Sequence, residues 1–498
     1  MKTISQLAEL VTGAVVIGDK ELKSTGIEHD SRKVEDGTLF VCIPGIHVDG
    51  HKFIPQAVAA GAKAVLTTRR DLTVPAGITI FCVPELQAAL DQIVPFFHDY
   101  PARSMRVVGI TGTNGKTTTS YITRAILRHA GYKVGLIGTI QIMMEDEVFP
   151  IHNTTPDVVE LQHTLATMRD KGLDYVVMEV SSHALAQNRV AGIEFDTAVF
   201  TNLTQDHMDY HKTLENYMLA KARLFELASQ PGTKTGKTAV VNIDDAAGQT
   251  MLEHASCQHL TYAIDRPADL RATEINVLAS GANFTLNHAS FGQMALQLHI
   301  TGIFNVYNVM SAVGAALAEH VKPEVIASVL RDFASVPGRF ELVKAGQDFS
   351  IIVDYAHTPD GVENVLETAR KIAKRKIIVV FGCGGDRDRT KRPIMGRLAA
   401  KLADVVIATS DNPRSEDPEF ILSEVEAGVN ETLGSKHHEK ITDRREAIFR
   451  AVELAKKDDI VVILGKGHED YQILKDKTIH FDDKEVAREA VAARKEEV

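Results

Sequence analysis

The sequence predicts an α/β protein of three domains: a small α/β domain, a central parallel-sheet domain and a further α/β domain. Three observations carry this. The chain has 498 residues, against roughly 150 residues for an ordinary domain. Continuous Val/Ile runs alternate with helical patterns, which marks parallel sheets buried on both faces. Two Pro-containing stretches, HDYPARS (98–104) and SVPGRFE (335–341), punctuate the pattern. The expected domains are 1–103, 104–336 and 337–498.

Residues 1–103 mix short strands and turns. TLFVCI (38–43), AKAVLTT (62–68) and ITIFCV (78–83) read as strands, 54–60 as a helix and 98–104 as a linker. From Met105 the pattern changes. MRVVGIT (105–111) is an apolar run, and Ile122, Ala125 and Ile126 then recur at helical spacing. Strands are expected at 133–139, 175–180, 197–203 and 238–244, antiparallel strands near 271–300, and a helix at 305–320. Beyond 341, strands are expected at 351–357, 376–382, 405–410 and 459–465. Asp443 and Glu446 fit a helix N-cap with a returning glutamate. The last residues, 484–498, read as a charged helix on a solvated face.

Composition excludes several classes. The chain is 44% hydrophobic and 24% charged, ordinary globular usage. A net charge of −11 provides no basic field for nucleic acid. Cys42, Cys82, Cys257 and Cys383 are far apart, which argues against a zinc ribbon or a disulfide framework. The first ten residues lack the features of a signal peptide, and no apolar run reaches membrane-spanning length. A cytoplasmic protein without membrane insertion is expected.

The strongest local signal is TGTNGKTT (111–118), between a buried-strand pattern and a helix. Glycines let backbone N–H groups converge on phosphate oxygens, and the helix N-terminus favours an anion. Lys116 suits the β/γ-phosphates and Thr117 offers a hydroxyl to Mg²⁺. The strict phosphate-loop motif wants glycine at 110, where this chain has Ile110. The loop alone does not choose among kinases, motors, switches and ligases.

Further clusters follow. MEVSSHAL (178–185) places Glu179 at a strand end, where an oxygen ligand for Mg²⁺ is useful. TNLTQDHMDYH (201–211) concentrates Asn202, Asp206, His207, Asp209 and His211 after the next strand. Lys221 lies in a helical pattern between Ala220 and Ala222. Spacing alone leaves it an ordinary solvated lysine; a buried one with a lowered pKa can react with carbon dioxide.

TGTNGKTT, EVSSH, TNLTQDHMDYH, YMLAKARLF, GIFNVYN, PGRFE, VDYAHTPD, SDNPRSEDP and GKGHED occur in this order. Together they resemble the Mur ligase family of peptidoglycan synthesis, over nearly the whole chain. The resemblance implies a UDP-sugar domain, a central ATPase domain and a C-terminal Rossmann-like domain. It also implies an ATP-dependent amide ligase that activates a carboxylate as an acyl phosphate before an amine attacks. The implied substrates are ATP, UDP-N-acetylmuramoyl-L-Ala-D-Glu and meso-2,6-diaminopimelate; a monomer is expected.

Carried onto this sequence, the family pattern gives Thr111, Gly112, Thr113, Asn114, Gly115, Lys116 and Thr117 to ATP, together with Asn305, Arg339 and Asp354. Thr117 and Glu179 would serve one Mg²⁺; His207 and a carbamate on Lys221 would serve a second. His357 lies near this set without an assigned role. Ser31 and the loop Ile46, His47 and Val48 would hold the uridine diphosphate. Asn153, Thr154, Thr155, Ser181, Gln187 and Arg189 would hold the muramoyl dipeptide. Asp411, Asn412, Pro413 and Arg414 resemble the diaminopimelate-selecting form of their motif, completed by Arg387, Gly465 and Glu469. The planar fork of Arg414 suits a second carboxylate, which lysine lacks. Glu469 would take the distal ammonium. An L-lysine-adding ligase and a folylpolyglutamate synthase are the rival enzymes; a nucleotide-gated binding protein is the rival class.

Overall fold

The computed structural model describes residues 1–45, 49–151, 153–278, 281–432 and 434–496. They form two compact units. One comprises Met1–Val108, Tyr132–Asp196 and Gln230–Thr235; the other comprises Gly109–Gly131, Thr197–Ser229 and Gly236–Val498.

In the first unit, a sheet runs in the order Val15–Ile17, Thr79–Cys82, Ala64–Thr67, Leu39–Val41, Ile27–Glu28. Only the first pairing is antiparallel. The three middle strands are fully buried because their expected apolar runs face cover on both sides. Helix Leu86–Phe97 packs Leu90, Ile93 and Val94 into this core, and helix Val158–Asp170 adds Val158 and Val159. The segment 98–104 is more than a linker. Pro101–Ser104 forms a 3₁₀ turn with Pro101 and Ala102 buried. Strands Val134–Ile137 and Tyr175–Glu179 pair in parallel, so the chain leaves the second at Glu179.

In the second unit, Thr197–Phe200, Thr238–Asn242, Gln258–Ala263 and Leu270–Leu278 pair successively in parallel. The antiparallel strands Gly281–His288 and Gly292–Leu298 extend them, where alternation of apolar and polar residues replaces the continuous runs. Strand Arg106–Thr111 ends in the phosphate loop, and helix Lys116–His129 follows it. Helix Ile303–Ala318 is almost wholly buried. At Gly314 a Cβ would come within 2.6 Å of Val240 Cγ1, so only glycine permits this helix-to-sheet approach.

A further sheet in this unit has the order Glu341–Leu342, Ser350–Asp354, Ile460–Leu464, Ile377–Phe381, Val405–Ala408, His437–Lys440. It is parallel beyond its first pair. Alternate residues feed two cores: Ile377, Val379 and Phe381 enter one, Ile378 and Val380 the other. Asp443 caps helix Arg444–Leu454 by accepting from the Glu446 N–H at 3.0 Å. The terminal helix Asp483–Glu496 departs from the solvated reading. Val486, Ala487, Ala490 and Val491 form an apolar stripe buried in the second of these cores.

Candidate active site

The phosphate loop is held open by its neighbours. Gly112 has φ +149°, and a Cβ there would come within 1.8 Å of Thr201 Oγ1. Gly115 has φ +87°, and a Cβ would lie 2.2 Å from Asn308 Oδ1. Both positions therefore require glycine. Asn202 fixes the loop from the adjacent strand end: its carbonyl accepts from Thr113 N–H, and its Oδ1 from Asn114 N–H, each at 2.9 Å. Lys116 folds back, with Nζ donating to the carbonyls of Gly112 and Thr113 at 2.9 and 2.8 Å.

Beside the loop lies a cavity of about 360 Å³. Asn114, Gly115 and Thr117 line one part, Phe304, Tyr307 and Asn308 another, and Arg339, Asp354 and His357 a third. Arg339 Nη2 donates to Thr117 Oγ1 at 2.9 Å, while its buried Nε has no hydrogen-bond partner among the described residues. Such a donor suits an anionic ligand. Asp354 accepts from the N–H groups of Phe340 and Ala356 at 2.6 and 2.7 Å. Burial pushes its carboxyl up despite nearby Arg339. The expected Asn305 does not line the cavity. It is buried with Nδ2 on the Thr301 carbonyl, and its Oδ1 accepts from Asn308 Nδ2 at 3.0 Å. Asn305 thus orients Asn308, which the N-x-x-N spacing on this helix signals.

Lys221 is 1% exposed, with Nζ donating to the Gly112 carbonyl at 2.8 Å and lying 4.2 Å from the Tyr217 ring centre. Burial, reinforced by the Lys116 charge, pulls its amine well below the usual lysine range. A neutral amine is the form that adds to carbon dioxide. Tyr217 also meets Thr113, Oγ1 to OH at 3.1 Å; its position four residues before Lys221 signals its place beside that lysine. His207 has φ +58°. Its N–H donates to Asp206 Oδ1 at 2.9 Å, and its Nε2 lies 3.4 Å from Asp206 Oδ2. Burial raises the Asp206 pKa, but Lys391, His207 and His357 together outweigh it and leave the carboxyl ionised. Lys391 Nζ is 3.4 Å from Asp206, and no sequence pattern singled it out. Burial, then Lys391, takes His357 down to about 4; its Nδ1 contacts the Tyr355 carbonyl at 2.9 Å. The ring is therefore neutral at pH 7.

The DNPR segment meets the loop after strand Ile460–Leu464. Asn412 Nδ2 donates to Glu469 Oε2 at 2.9 Å, and Lys466 Nζ reaches the same oxygen at 2.9 Å. Burial pushes the Glu469 carboxyl up against the pull of Lys466. Gly465 has φ +114°, and a Cβ would lie 2.4 Å from Asp411 Oδ2. Arg414 has φ +54°, and its Nη1 donates to the Gly385 carbonyl at 2.7 Å. Asp411, Asn412, Pro413, Arg414, Gly465 and Glu469 are thus brought together. Arg387 is exposed on the loop beside Gly384.

In the first unit, Glu179 is fully buried. Its carboxylate accepts from Thr139 N–H at 3.0 Å and Thr139 Oγ1 at 2.9 Å. Thr139 Oγ1 meets Thr154 Oγ1 at 3.1 Å. Thr155 Oγ1 donates to the Glu179 carbonyl at 2.9 Å and accepts from Ser181 N–H at 3.0 Å. Arg189 donates to the Thr155 carbonyl and to Gln187 Oε1, both at 2.9 Å. Thr154, Thr155, Ser181, Gln187 and Arg189 therefore form one network around Glu179. Asn153 is exposed at its edge. Ser31 is buried two residues from His29, whose Nε2 lies 3.4 Å from Asp157, two residues beyond Thr155. Ile46, His47 and Val48 lie outside the described residues.

Among the described residues, no helix is long and apolar enough to cross a membrane. Three family models match in chain order: "Mur ligase family, catalytic domain" at 23–105, "Mur ligase middle domain" at 110–316, and "Mur ligase, glutamate ligase domain" at 338–467. The chain is 48% identical to a Bacillus cereus UDP-N-acetylmuramoyl-L-alanyl-D-glutamate--2,6-diaminopimelate ligase, covering 96% of each chain. It is 43% identical to the protein of that name from Syntrophomonas wolfei, covering 98% of this chain and 99% of that one. A solved structure of a ligase with this name superposes with a TM-score of 0.67 at 32% identity, covering 99% of both chains. The chain belongs to the Mur ligase family.

Proposed function

We propose that this chain is the ATP-dependent ligase that joins meso-2,6-diaminopimelate to the D-Glu γ-carboxylate of UDP-N-acetylmuramoyl-L-Ala-D-Glu, a step in making the peptidoglycan precursor. The observation that carries the reading is the Asn412–Arg414–Glu469 cluster, which combines a planar cation with a carboxylate, as an amino acid bearing two ends of each charge requires. Full-length relatives at 43–48% identity support it.

The chemistry follows from the groups involved. A carboxylate is a poor electrophile, so its oxygen attacks the γ-phosphorus of ATP; ADP leaves and an acyl phosphate forms. The neutral amine of diaminopimelate adds to that carbonyl, and the tetrahedral intermediate expels phosphate as the amide forms. In this reading Lys116 exchanges its contacts with the loop carbonyls for the terminal phosphates. Arg339 and the loop N–H groups steady the charge that develops there. Asn308, held by Asn305, and Asp354 position the nucleoside.

Thr117 offers a hydroxyl and Glu179 a carboxylate, each a hard oxygen donor of the kind Mg²⁺ takes. His207 and Lys221, as a carbamate, would hold a second ion. The desolvated Lys221 amine supports this, since burial favours the neutral form that adds carbon dioxide and so yields an anionic oxygen. Bound Mg²⁺ would neutralise phosphate charge.

We assign residues 1–103 to the sugar nucleotide, 104–336 to ATP and 337–498 to the amino acid, in a monomer acting in the cytoplasm. Ser31 and Ile46–Val48 take the uridine diphosphate; the network of Thr154, Thr155, Ser181, Gln187 and Arg189, with Asn153, takes the dipeptide. The test is to supply the dipeptide nucleotide, ATP, Mg²⁺ and equal amounts of meso-diaminopimelate and L-lysine, and weigh the product. A diaminopimelate adduct is expected. A lysine adduct would overturn the pocket reading, and no adduct would overturn the ligase.

A further inference from the structure

Arg392 and Arg444 are the largest fully buried side chains of the described residues, and Arg392 does not line the cavity. It lies on the first turn of helix Lys391–Leu402. Its Nη2 donates to Glu416 Oε1 at 2.8 Å and to the Gly384 carbonyl at 3.2 Å; its Nη1 donates to Glu416 Oε2 at 3.0 Å and to Glu424 Oε2 at 2.6 Å. One guanidinium therefore holds two loops. Gly384 belongs to the loop that carries Arg387, and Glu416 follows Arg414 by two residues.

The two loops interlock around this clamp. Glu416 Oε1 also accepts from Asp386 N–H at 2.5 Å, and Asp386 Oδ1 accepts from Ser415 Oγ at 2.7 Å. Gly385 N–H donates to the Asn412 carbonyl at 2.9 Å. A Cβ on Gly385 would come within 1.9 Å of the Pro413 carbonyl, and one on Gly384 within 2.9 Å of Arg414 Nη1. Such spacing leaves the Arg414 fork little freedom while the clamp is closed. Burying a charge is costly unless it is paired; here both terminal nitrogens are paired, and the buried Nε has no hydrogen-bond partner among the described residues. A bidentate arginine also fixes direction as well as distance, which a lysine cannot do.

We infer that Arg392, acting through Glu416, is a positioning residue that sets the separation of Arg387 and Arg414 and thereby the preference for a dicarboxylate amino acid over one with a single carboxylate. The inference rests on the proposed amino-acid pocket. It adds that selectivity depends on a buried pair that never touches substrate.

The experiment compares wild type with Arg392→Lys and Glu416→Gln in phosphate release, using meso-diaminopimelate and L-lysine in turn. Thermal unfolding of each variant establishes that it is folded. Glu431→Gln, which breaks the exposed ion pair with Arg397 on the Arg392 helix and leaves every Arg392 contact intact, is the reference variant. The expected result is a rise of about tenfold in KM for diaminopimelate in Arg392→Lys and Glu416→Gln. The diaminopimelate-to-lysine ratio of kcat/KM should fall similarly, with KM for ATP unchanged and Glu431→Gln close to wild type. Folded variants with an unaltered ratio, or with KM for ATP raised as much as that for diaminopimelate, would overturn the inference. Wild type that uses neither amino acid would instead remove the pocket on which it rests.

Discussion

Lys221 Nζ donates to the carbonyl of Gly112 at 2.8 Å, so a buried amine touches the backbone of the phosphate loop itself. Lys116 Nζ reaches the same carbonyl at 2.9 Å. Two cationic side chains sharing one acceptor is an unfavourable arrangement in a desolvated site, and it is relieved when one of them is neutral. Loss of the Lys221 proton and addition of carbon dioxide go further, because the product is an anion beside Lys116.

Lys221→Ala is therefore expected to lower kcat by about 10²–10³-fold, the scale of losing one preorganised charge-stabilising group. A short added carboxylate should restore part of it by standing in for the carbamate. Steady-state phosphate release measures both. Unchanged activity in the variant would remove the carbamate from the mechanism.

Arg414→Lys replaces a planar fork with a point charge. The kcat/KM for meso-diaminopimelate should fall about 10–100-fold while that for L-lysine stays within a fewfold. Parallel initial-rate measurements with the two amino acids check this. Equal losses for both would assign Arg414 to general binding.

Gly115→Ala places a Cβ 2.2 Å from Asn308 Oδ1 at a backbone φ of +87°. The strain should cost about 1–3 kcal/mol in stability, read by urea unfolding, and should raise KM for ATP by displacing Asn308. Wild-type values for both would show that the loop relaxes freely.

His98 gives a pH prediction. Burial, then His163 and Arg169, takes its pKa down to about 4, against the partial opposing pull of Asp99 and Asp170. An unfolded histidine titrates near ~6.5, so the unfolded chain takes up a proton first as pH falls. The stability this neutral ring contributes is complete above pH ~6.5 and is lost as pH falls towards 4. Unfolding free energies at pH 7.5 and 5.0, values chosen at roughly one unit outside and inside that window, should drop less for His98→Gln than for wild type. Equal drops would assign the acid sensitivity elsewhere.

Much of the site was legible because phosphate and metal chemistry demand residue types at fixed spacings. The loop 111–117, Glu179 at its strand end and the DNPR turn sit on elements whose apolar runs announced them. Other features depend on contacts distant in sequence. Asn305 and Asn308 differ by one helical turn, and only the packing of helix Ile303–Ala318 shows that Asn308 faces the cavity while Asn305 orients it. Lys391 and Arg392 lie in a basic stretch without a motif of its own, and both are buried against carboxylates. In the terminal helix the charged residues dominate the composition and hide the small stripe of Val486, Ala487, Ala490 and Val491. Pro101 marked a break in the pattern at 98–104, but its burial depends on the surrounding fold.

The central claim is activation of a carboxylate by phosphorylation. It is tested most directly by labelling the D-Glu γ-carboxylate of the dipeptide nucleotide with heavy oxygen, running the ligation with ATP and meso-diaminopimelate, and weighing the phosphate released. An acyl phosphate carries one carboxylate oxygen to phosphorus and leaves it there when the amine displaces phosphate, so each phosphate should contain one heavy atom. Unlabelled phosphate released in step with amide formation would contradict the account.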